Sequence, residues 1–314
     1  LPGTLIVETH DRASLRFFAQ SQSFAIIFLD KITKNNQTIQ IFPYLWRVEF
    51  NIIYYMKITV IGCGNLGASI VKGLANKQKE NGFDITATDP EADLDKVRSW
   101  GVNASRNNIE AVKSADIIFL CVKPWIAKDV IEEIAPALNN SQTIVSPVAG
   151  LSIDQIKGYC YKKVSVFRIM PNIAASINQS TTCVAYDAED EVIEPTMQVL
   201  GTLGKVIVID ESRINAATIL TGSGIAYVLR FMRAMVEGGI EIGFRSDVAN
   251  EIVAQTMKGT VELFMQEGTH LEQLIDRVCT PSGTTIRGLN EMEKNGFSSS
   301  VIEGIISSYH VIAK

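Results

Sequence analysis

Histidine is nearly missing. The three residues, His10, His270 and His310, are scattered along the chain, and the five cysteines (63, 121, 160, 183 and 279) form no C-x-x-C pair. Neither zinc-ligand spacing nor a disulfide framework is therefore present. Three of the thiols lie inside apolar runs or against a glycine turn, a usage that points to reduced cysteines in a cytoplasm. No uninterrupted apolar run exceeds six residues (24–29 and 117–122), so no such run spans a bilayer. Positive charge is also short: 29 Lys+Arg against 34 Asp+Glu leave a net charge of -5, without the basic field that holds a nucleic-acid backbone. Metal, membrane and nucleic acid thus drop out as expected partners. What is present is a chain of 314 residues, 46% hydrophobic and 20% charged, long enough to bury two cores.

The first 55 residues differ from the rest. They hold 10 of the 24 aromatics, one of the 22 glycines and none of the eight methionines, and Met56 is the first methionine. Rich in Ile, Phe, Asn, Lys and Tyr, residues 1–55 read as a leader, non-native or poorly ordered. The alternation of QTIQIF and WRVEFNIIYY offers the other reading, a genuine extension with one hairpin.

From Met56 onward short apolar runs alternate with helical stretches. KITVIG, FDITATD, GVNAS, ADIIFLCVKP, TIVSPVAG, VSVFRIMPN, TTCVAY and KVIVID read as strands, with helices over 66–79, 94–100, 130–138 and up to Val199. That order predicts an α/β Rossmann-type doubly wound parallel sheet over residues 56–210, covered on both faces. After Asp210 the strands stop. Residues 214–244, 248–267 and 297–312 read as helices, broken at Gly222-Ser-Gly224, at 243–247 and at Thr280-Pro281-Ser282-Gly283. An all-α domain over 211–314 follows.

Gly62-Cys63-Gly64-Asn65-Leu66-Gly67 comes directly after the first of these strands and opens a helix. Dinucleotide binding needs that placement: Gly62 permits the tight turn, Gly64 lets backbone approach a pyrophosphate, and Gly67 lets helix and strand pack closely. Asp89, 22 residues past Gly67 at the end of the next strand, is placed to accept from a ribose 2′-hydroxyl and to repel a 2′-phosphate, which points toward NADH; it is equally a common turn residue, and NADPH stays open. Cys121-Val122-Lys123-Pro124 and Met170-Pro171-Asn172 also fall at strand ends, where open α/β sheets bind ligands. Lys123 reads either as a partner of the cofactor phosphates or as a helix cap. Asn172 reads as a nicotinamide neighbour or a turn cap. In the helical part, Thr280-Pro281 reads as a helix start with proline at its first position, leaving the amides of Ser282, Gly283 and Thr284 for a carboxylate and the Thr285 hydroxyl beside them. Plain N-capping accounts for the same residues.

The set GCGNLG, CVKP, RIMPN, TGSGIAY and VCTPSGTTIRGL, in this order over Met56 to Lys314, resembles pyrroline-5-carboxylate reductase. The resemblance implies a Rossmann domain, a helical dimerisation domain that completes the site across a homodimer, often within larger rings, and reduction of 1-pyrroline-5-carboxylate to L-proline with NADPH or NADH. Position by position it puts the cofactor loop on Ile61, Gly62, Cys63, Gly64, Asn65 and Leu66, a ribose-side asparagine on Asn108, and the strand-end loop on Cys121, Val122, Lys123 and Pro124. It puts the substrate loop on Ser282, Gly283, Thr284 and Thr285, with Thr285 as the catalytic hydroxyl beside the ring nitrogen, and a further, acidic substrate-binding position on Glu211.

The sequence departs from the family pattern at four places. Ser282 replaces a usual glycine, Ile225 a proline after TGSG, Ile173-Ala174 a Thr-Pro after MPN, and Thr269-His270-Leu271 a Glu-His-Pro. Ser282 alone touches the substrate loop. The chemistry agrees with what is absent: a hydroxyacid dehydrogenase needs a base beside the hydroxyl, and no lysine lies between Lys205 and Lys258. A protonated cyclic imine is already an electrophile and needs only placement and support. The competing readings are a dinucleotide-binding regulator without turnover and a related imine or hydroxyacid reductase.

Overall fold

The computed structural model describes Thr4–Glu8, Ser14–Phe18 and residues 55–312. β1 (Thr4–Glu8) and β2 (Ser14–Phe18) pair antiparallel. The hairpin reading at 37–42 and 46–55 and the order of the rest of the 1–55 segment lie outside the described residues.

The main sheet is built from β3 (Met56–Ile61), β4 (Phe83–Thr88), β5 (Asn103–Ser105), β6 (Ile117–Leu120), β7 (Thr143–Ser146), β8 (Ser165–Met170), β9 (Ser180–Asp187) and β10 (Gly204–Val208). Its spatial order is β10-β9-β8-β7-β6-β3-β4-β5. The six strands from β3 to β8 thus lie in the 3-2-1-4-5-6 order of a dinucleotide-binding sheet, with the direction of winding reversing between β3 and β6.

Successive side chains of β6 go to opposite faces. Ile118 and Leu120 join α3 (Asn108–Lys113), α4 (Pro124–Ile134) and α5 (Ile153–Cys160) through Val112, Ile131 and Ile156. Ile117 and Phe119 join α1 (Asn65–Asn81), α2 (Leu94–Arg98) and α6 (Asp190–Thr202) through Ile70, Leu74, Val97 and Val199. Both faces of β6 are dry, which is why it reads as an unbroken apolar run.

Three details differ from the sequence reading. The sheet is not wholly parallel: β9 runs antiparallel to β8, and β10 then pairs parallel to β9. Nine residues separate Met170 from Ser180, too few for a parallel crossover, so the chain turns back on itself. The helix expected at 130–138 starts at Pro124, because proline is favoured at a first helical position, and finishes as a 3-10 turn at Ala135–Ala137. Gly222-Ser-Gly224 does not break the helix. α7 (Ile214–Thr218) widens into a π-helical turn over Ile219–Ser223 and continues into α8 (Gly224–Glu241).

Glu211–Glu241 is in consequence one helical stretch of 31 residues, long and apolar enough by length and composition to cross a membrane, with only 17% of its apolar window buried. Counting unbroken apolar runs missed it because its Gly, Thr and Ser residues interrupt the run without ending the helix. α9 (Ser246–Glu267), α10 (Leu271–Val278), α11 (Thr284–Lys294) and α12 (Phe297–Ile312) complete the domain. Packing within it is thin: Val236, Ala249 and Val253 form its small core, and α10, α11 and α12 have no buried residue. Leu271, Ile275 and Val278 line up on one face of α10 at helical spacing and remain exposed.

Candidate cofactor and substrate site

The glycine turn sits where the winding of the sheet reverses. Gly62 has φ +94°, and a Cβ there would lie 2.4 Å from the Cys121 carbonyl oxygen. A Cβ on Gly67 would lie 1.9 Å from the Gly62 oxygen. Those two glycines are demanded by the protein itself. Gly64 is different: nothing lies within 4 Å of its Cβ position, and its φ of -62° is open to any residue. Gly64 is also the N-cap of α1 and makes no side-chain cap bond, so the first amides of a 17-residue helix face the gap that a Cβ would enter. The residues present fit a dinucleotide pyrophosphate.

Neighbouring strand ends close the gap. Asp89 accepts the Cys63 amide at 2.7 Å through one oxygen and the amides of Glu91 and Ala92, each at 2.8 Å, through the other. Partial burial alone would raise the Asp89 pKa. The three amides and the nearby Arg106 guanidinium outweigh it and hold the carboxyl below its ordinary range. The Cys63 thiol is pushed up to about 11, by burial first and the Asp89 charge second. Cys121 is raised further, by burial and then by Cys63. Both thiols are therefore neutral and serve as packing.

Asn108, the first residue of α3, accepts from Thr88 Oγ1 at 2.6 Å and donates to Glu133 at 3.2 Å. This ties the Asn108 amide to the end of β4 beside Asp89. Asn65 and Leu66 begin α1, and Ile61 ends β3. Cys121 hydrogen-bonds back to the Ile61 carbonyl at 2.7 Å, and Val122 lies against Gly62. Lys123 is the N-cap of α4, ahead of Pro124. Its exposed ammonium stands 6.0 Å from the Trp125 ring centre.

The substrate loop has a different geometry from the one the sequence suggested. Pro281 does not start a helix. The Gly283 amide donates to the Thr280 carbonyl at 2.9 Å, which closes a four-residue turn with proline at its second place and Ser282 at its third. Ser282 has φ +61°. Proline followed by a positive φ is the pattern of a type II turn, and its third place favours glycine. Gly283 then caps α11, which starts at Thr284. The Gly283 amide is thus spent on the turn, and the amides free of intrahelical partners are those of Thr284, Thr285 and Ile286. The Ser282, Thr284 and Thr285 hydroxyls make no hydrogen bond among the described residues. The fixed φ of Pro281 made it look like a helix start; a serine in the next place carries no sign that its φ is positive.

Glu211 is not part of that loop's hydrogen bonding. One oxygen accepts the Ile153 amide at 2.8 Å and Arg168 at 3.2 Å, while Arg168 also reaches Asn215 at 2.7 Å. The Arg168 side chain is 6% exposed, and its Nε has no partner among the described residues. Asn172 does cap its turn, through Ala174, and also donates to the Thr221 carbonyl at 3.2 Å. Arg168 and Asn172 thus fasten the sheet to α7 and to the π turn. The sequence reading gave Arg168 no separate role, although an arginine inside a strand of otherwise apolar residues was a legible signal of a buried ion pair.

A glycine turn at the winding reversal, an acidic residue at the next strand end and an all-helical second domain define a nicotinamide-dinucleotide oxidoreductase. Comparison with known proteins narrows the class. A family model described as pyrroline-5-carboxylate reductase dimerisation matches residues 211–314, and one described as NADP oxidoreductase, coenzyme F420-dependent, matches residues 57–150. The chain is 31% identical over 252 residues to mouse pyrroline-5-carboxylate reductase 3, covering 79% of this chain and 92% of that protein. It is 37% identical over 270 residues to pyrroline-5-carboxylate reductase 1 of Dictyostelium discoideum, covering 82% of this chain and 49% of that relative, about half its length. The crystal structure of the Plasmodium falciparum pyrroline carboxylate reductase with NADP bound superposes with a TM-score of 0.74 at 26% identity, covering 81% of this chain and 96% of that one. The chain belongs to the pyrroline-5-carboxylate reductase family.

Proposed function

We propose that this chain reduces 1-pyrroline-5-carboxylate to L-proline with NAD(P)H, the last step of proline biosynthesis. The observation that carries the reading is the presence in one chain of two half-sites: a glycine turn open at Gly64, and a helix start at Thr284 whose hydroxyls and amides are uncommitted among the described residues.

When bound, the dinucleotide supplies a hydride from its nicotinamide ring. The chain's own residues supply placement. Gly62 to Gly67 and the start of α1 hold the pyrophosphate. Asp89 and Asn108 face the adenosine ribose, and Cys121 to Pro124 form the adjoining wall. The Thr284 to Ile286 amides and the positive end of α11 take the substrate carboxylate. Thr285 supports the ring nitrogen with its hydroxyl, and Glu211, through Arg168 and Ile153, positions the helical domain on the sheet. Holding the imine carbon against the nicotinamide and excluding other orientations is the main task, since the protonated imine needs no further activation.

The reading includes a homodimer, in which the thinly packed helical domain and the exposed faces of Glu211–Glu241 and α10 cover one another between copies. Support comes from the dimerisation model that matches this segment and from Arg230, Arg233 and Glu237 along α8, with Arg233 and Glu237 paired at 2.9 Å. These charges favour a protein partner with a polar rim over lipid. A cytoplasmic location and larger rings belong to the same reading.

Imine-dependent oxidation of NAD(P)H by the purified chain tests it, together with Thr285→Ala and Thr285→Ser. A hydroxyl stronger in its contact at the transition state than before it contributes roughly 1.5–3 kcal/mol, so Thr285→Ala lowers kcat and kcat/KM by about tenfold to a hundredfold or more, and Thr285→Ser keeps most of the rate. Wild-type kcat in Thr285→Ala reduces the residue to a helix cap. Dinucleotide binding without imine-dependent turnover establishes the regulator instead.

A further inference from the structure

The ribose end of the cofactor cleft holds a cation that the family resemblance did not assign. Arg106 follows β5 directly, and β5 pairs with β4 so that Ser105 lies opposite Thr88 and receives the Asp89 amide at 3.4 Å. Its guanidinium donates to the Pro90 carbonyl and lies close enough to Asp89 to lower that carboxyl's pKa. The residue is exposed, so most of its five donors face solvent beside the place where the adenosine ribose is expected.

Asp89 is more constrained than its position at the strand end suggested. Of the roughly four lone-pair sites on a carboxylate, three are taken by the Cys63, Glu91 and Ala92 amides. What is left suffices for one ribose hydroxyl. A 2′-phosphate in the same place meets the Asp89 charge together with Glu91, Asp93 and Asp95 on the following segment. Of the two cations on α2, Arg98 is committed to Asp95 and to the Ala104 carbonyl, and Lys96 offers a single ammonium without a planar fork. Among the described residues Arg106 donates only to a neutral carbonyl, which it can leave for a doubly charged phosphate while staying beside Asp89, and its planar fork suits a phosphate oxygen pair.

We infer that Arg106 is the specificity-determining residue for the 2′-phosphate, so that this chain takes NADPH as well as NADH: Asp89 serves the ribose hydroxyl of one, and Arg106 swings from Pro90 to the phosphate of the other. The inference rests on the reading of this cleft as the NAD(P)H site. Asp89 stays an anion, and the attraction of Arg106 for the phosphate offsets its repulsion.

Titration calorimetry on the full chain with adenosine 2′,5′-bisphosphate and adenosine 5′-monophosphate isolates the 2′-phosphate without turnover. In the wild type the bisphosphate binds more tightly than the monophosphate, and the advantage shrinks with added salt. Arg106→Gln weakens the bisphosphate by tenfold or more and the monophosphate by less than twofold; Arg106→Lys, which keeps the charge and loses the fork, falls between. Equal weakening of both ligands makes Arg106 a loop anchor and overturns the inference, as does an unchanged bisphosphate affinity in a folded Arg106→Gln protein. If the wild type binds the monophosphate but gains nothing from the 2′-phosphate, the inference fails and the cofactor site stands. If it binds neither these nucleotides nor NADH, the cofactor site itself is wrong.

Discussion

Replacing Ser282 by glycine should stabilise the protein. Ser282 adopts φ +61°, a conformation that costs a residue with a Cβ roughly 1–2 kcal/mol. Glycine adopts it freely but carries about 0.5–1 kcal/mol of extra chain entropy in the unfolded state. The difference is a net gain of about 0.5–1 kcal/mol. Nothing offsets it, because the Ser282 hydroxyl makes no hydrogen bond among the described residues. Urea unfolding at one fixed protomer concentration is the suitable assay, since association of subunits shifts apparent stability by mass action. The midpoint should rise with an unchanged m-value. A graded series makes the cause specific: Ser282→Ala should match wild type within about 0.5 kcal/mol, and Ser282→Val should fall below it, since a branched Cβ tolerates positive φ least. Were glycine no more stable than serine, or valine equal to alanine, positive-φ strain would not be the governing term. The same substitution bears on function, because the turn aims the Thr284 and Thr285 amides; a lower KM for the imine with unchanged cofactor KM is the expected companion result.

The three glycines of the phosphate turn should separate folding from binding. Gly64→Ala meets open space at an ordinary φ and should leave stability within about 0.5 kcal/mol while weakening NAD(P)H by more than tenfold, whereas Gly62→Ala, driven against the Cys121 carbonyl at φ +94°, should lose roughly 1–3 kcal/mol of stability; thermal melts with and without cofactor distinguish them, and a destabilised Gly64→Ala would contradict the open-space geometry. Cys63, with its pKa raised from 9.0 to about 11, remains a thiol at pH 8. Its thiolate fraction is about a hundredfold below that of an unperturbed thiol, partly offset by the greater nucleophilicity of a more basic thiolate, so iodoacetamide mapping should find it about tenfold slow, with the gap closing as pH nears 11. Labelling at the rate of free cysteine would show that the thiol is not desolvated.

The sheet was legible because its strands are buried on both faces and therefore apolar without interruption, as at 117–120. Where pattern and topology part, the sequence was silent. The antiparallel return of β9 depends on the length of one connection, and the π turn at Ile219–Ser223 looks like a glycine break. Helices α3, α5 and α10 were not marked out as separate elements, since six- to eight-residue helices carry too few turns for a clear period. The cofactor half of the site was readable from spacing, because Gly62 and Gly67 answer a steric demand of nearby backbone and Gly64 keeps the start of α1 open. The substrate half was recognisable only by likeness to a family. A proline, a serine and a glycine are compatible with both a helix start and a type II turn, and only the Thr280 to Gly283 hydrogen bond decides between them. Arg106 escaped notice because its relation to Asp89 runs through strand pairing, across 17 positions of sequence.

A site divided between two domains, as proposed, would account for the apolar surface left open on one of them. Had the helical domain been meant to fold back on its own sheet, residues such as Leu271, Ile275 and Val278 would be buried there; they are 57%, 37% and 65% exposed. Only the first part of the domain is locked to the sheet, through the buried Arg168 with Glu211 and Asn215, and through Asn172 with Thr221. Those contacts fix where α8 leaves the sheet but leave α10 and α11, which carry the Thr280–Thr285 turn, dependent on other packing. In the homodimer proposed above, a second copy laid against Glu211–Glu241 would supply that packing and bring one copy's threonines toward a glycine turn, so that association and assembly of the site would be one step. Arg168, whose Nε is unpaired among the described residues, fits this division of labour: the junction holds direction through charged hydrogen bonds, while in the proposed dimer the stability of the helical domain would come from the apolar faces that association covers.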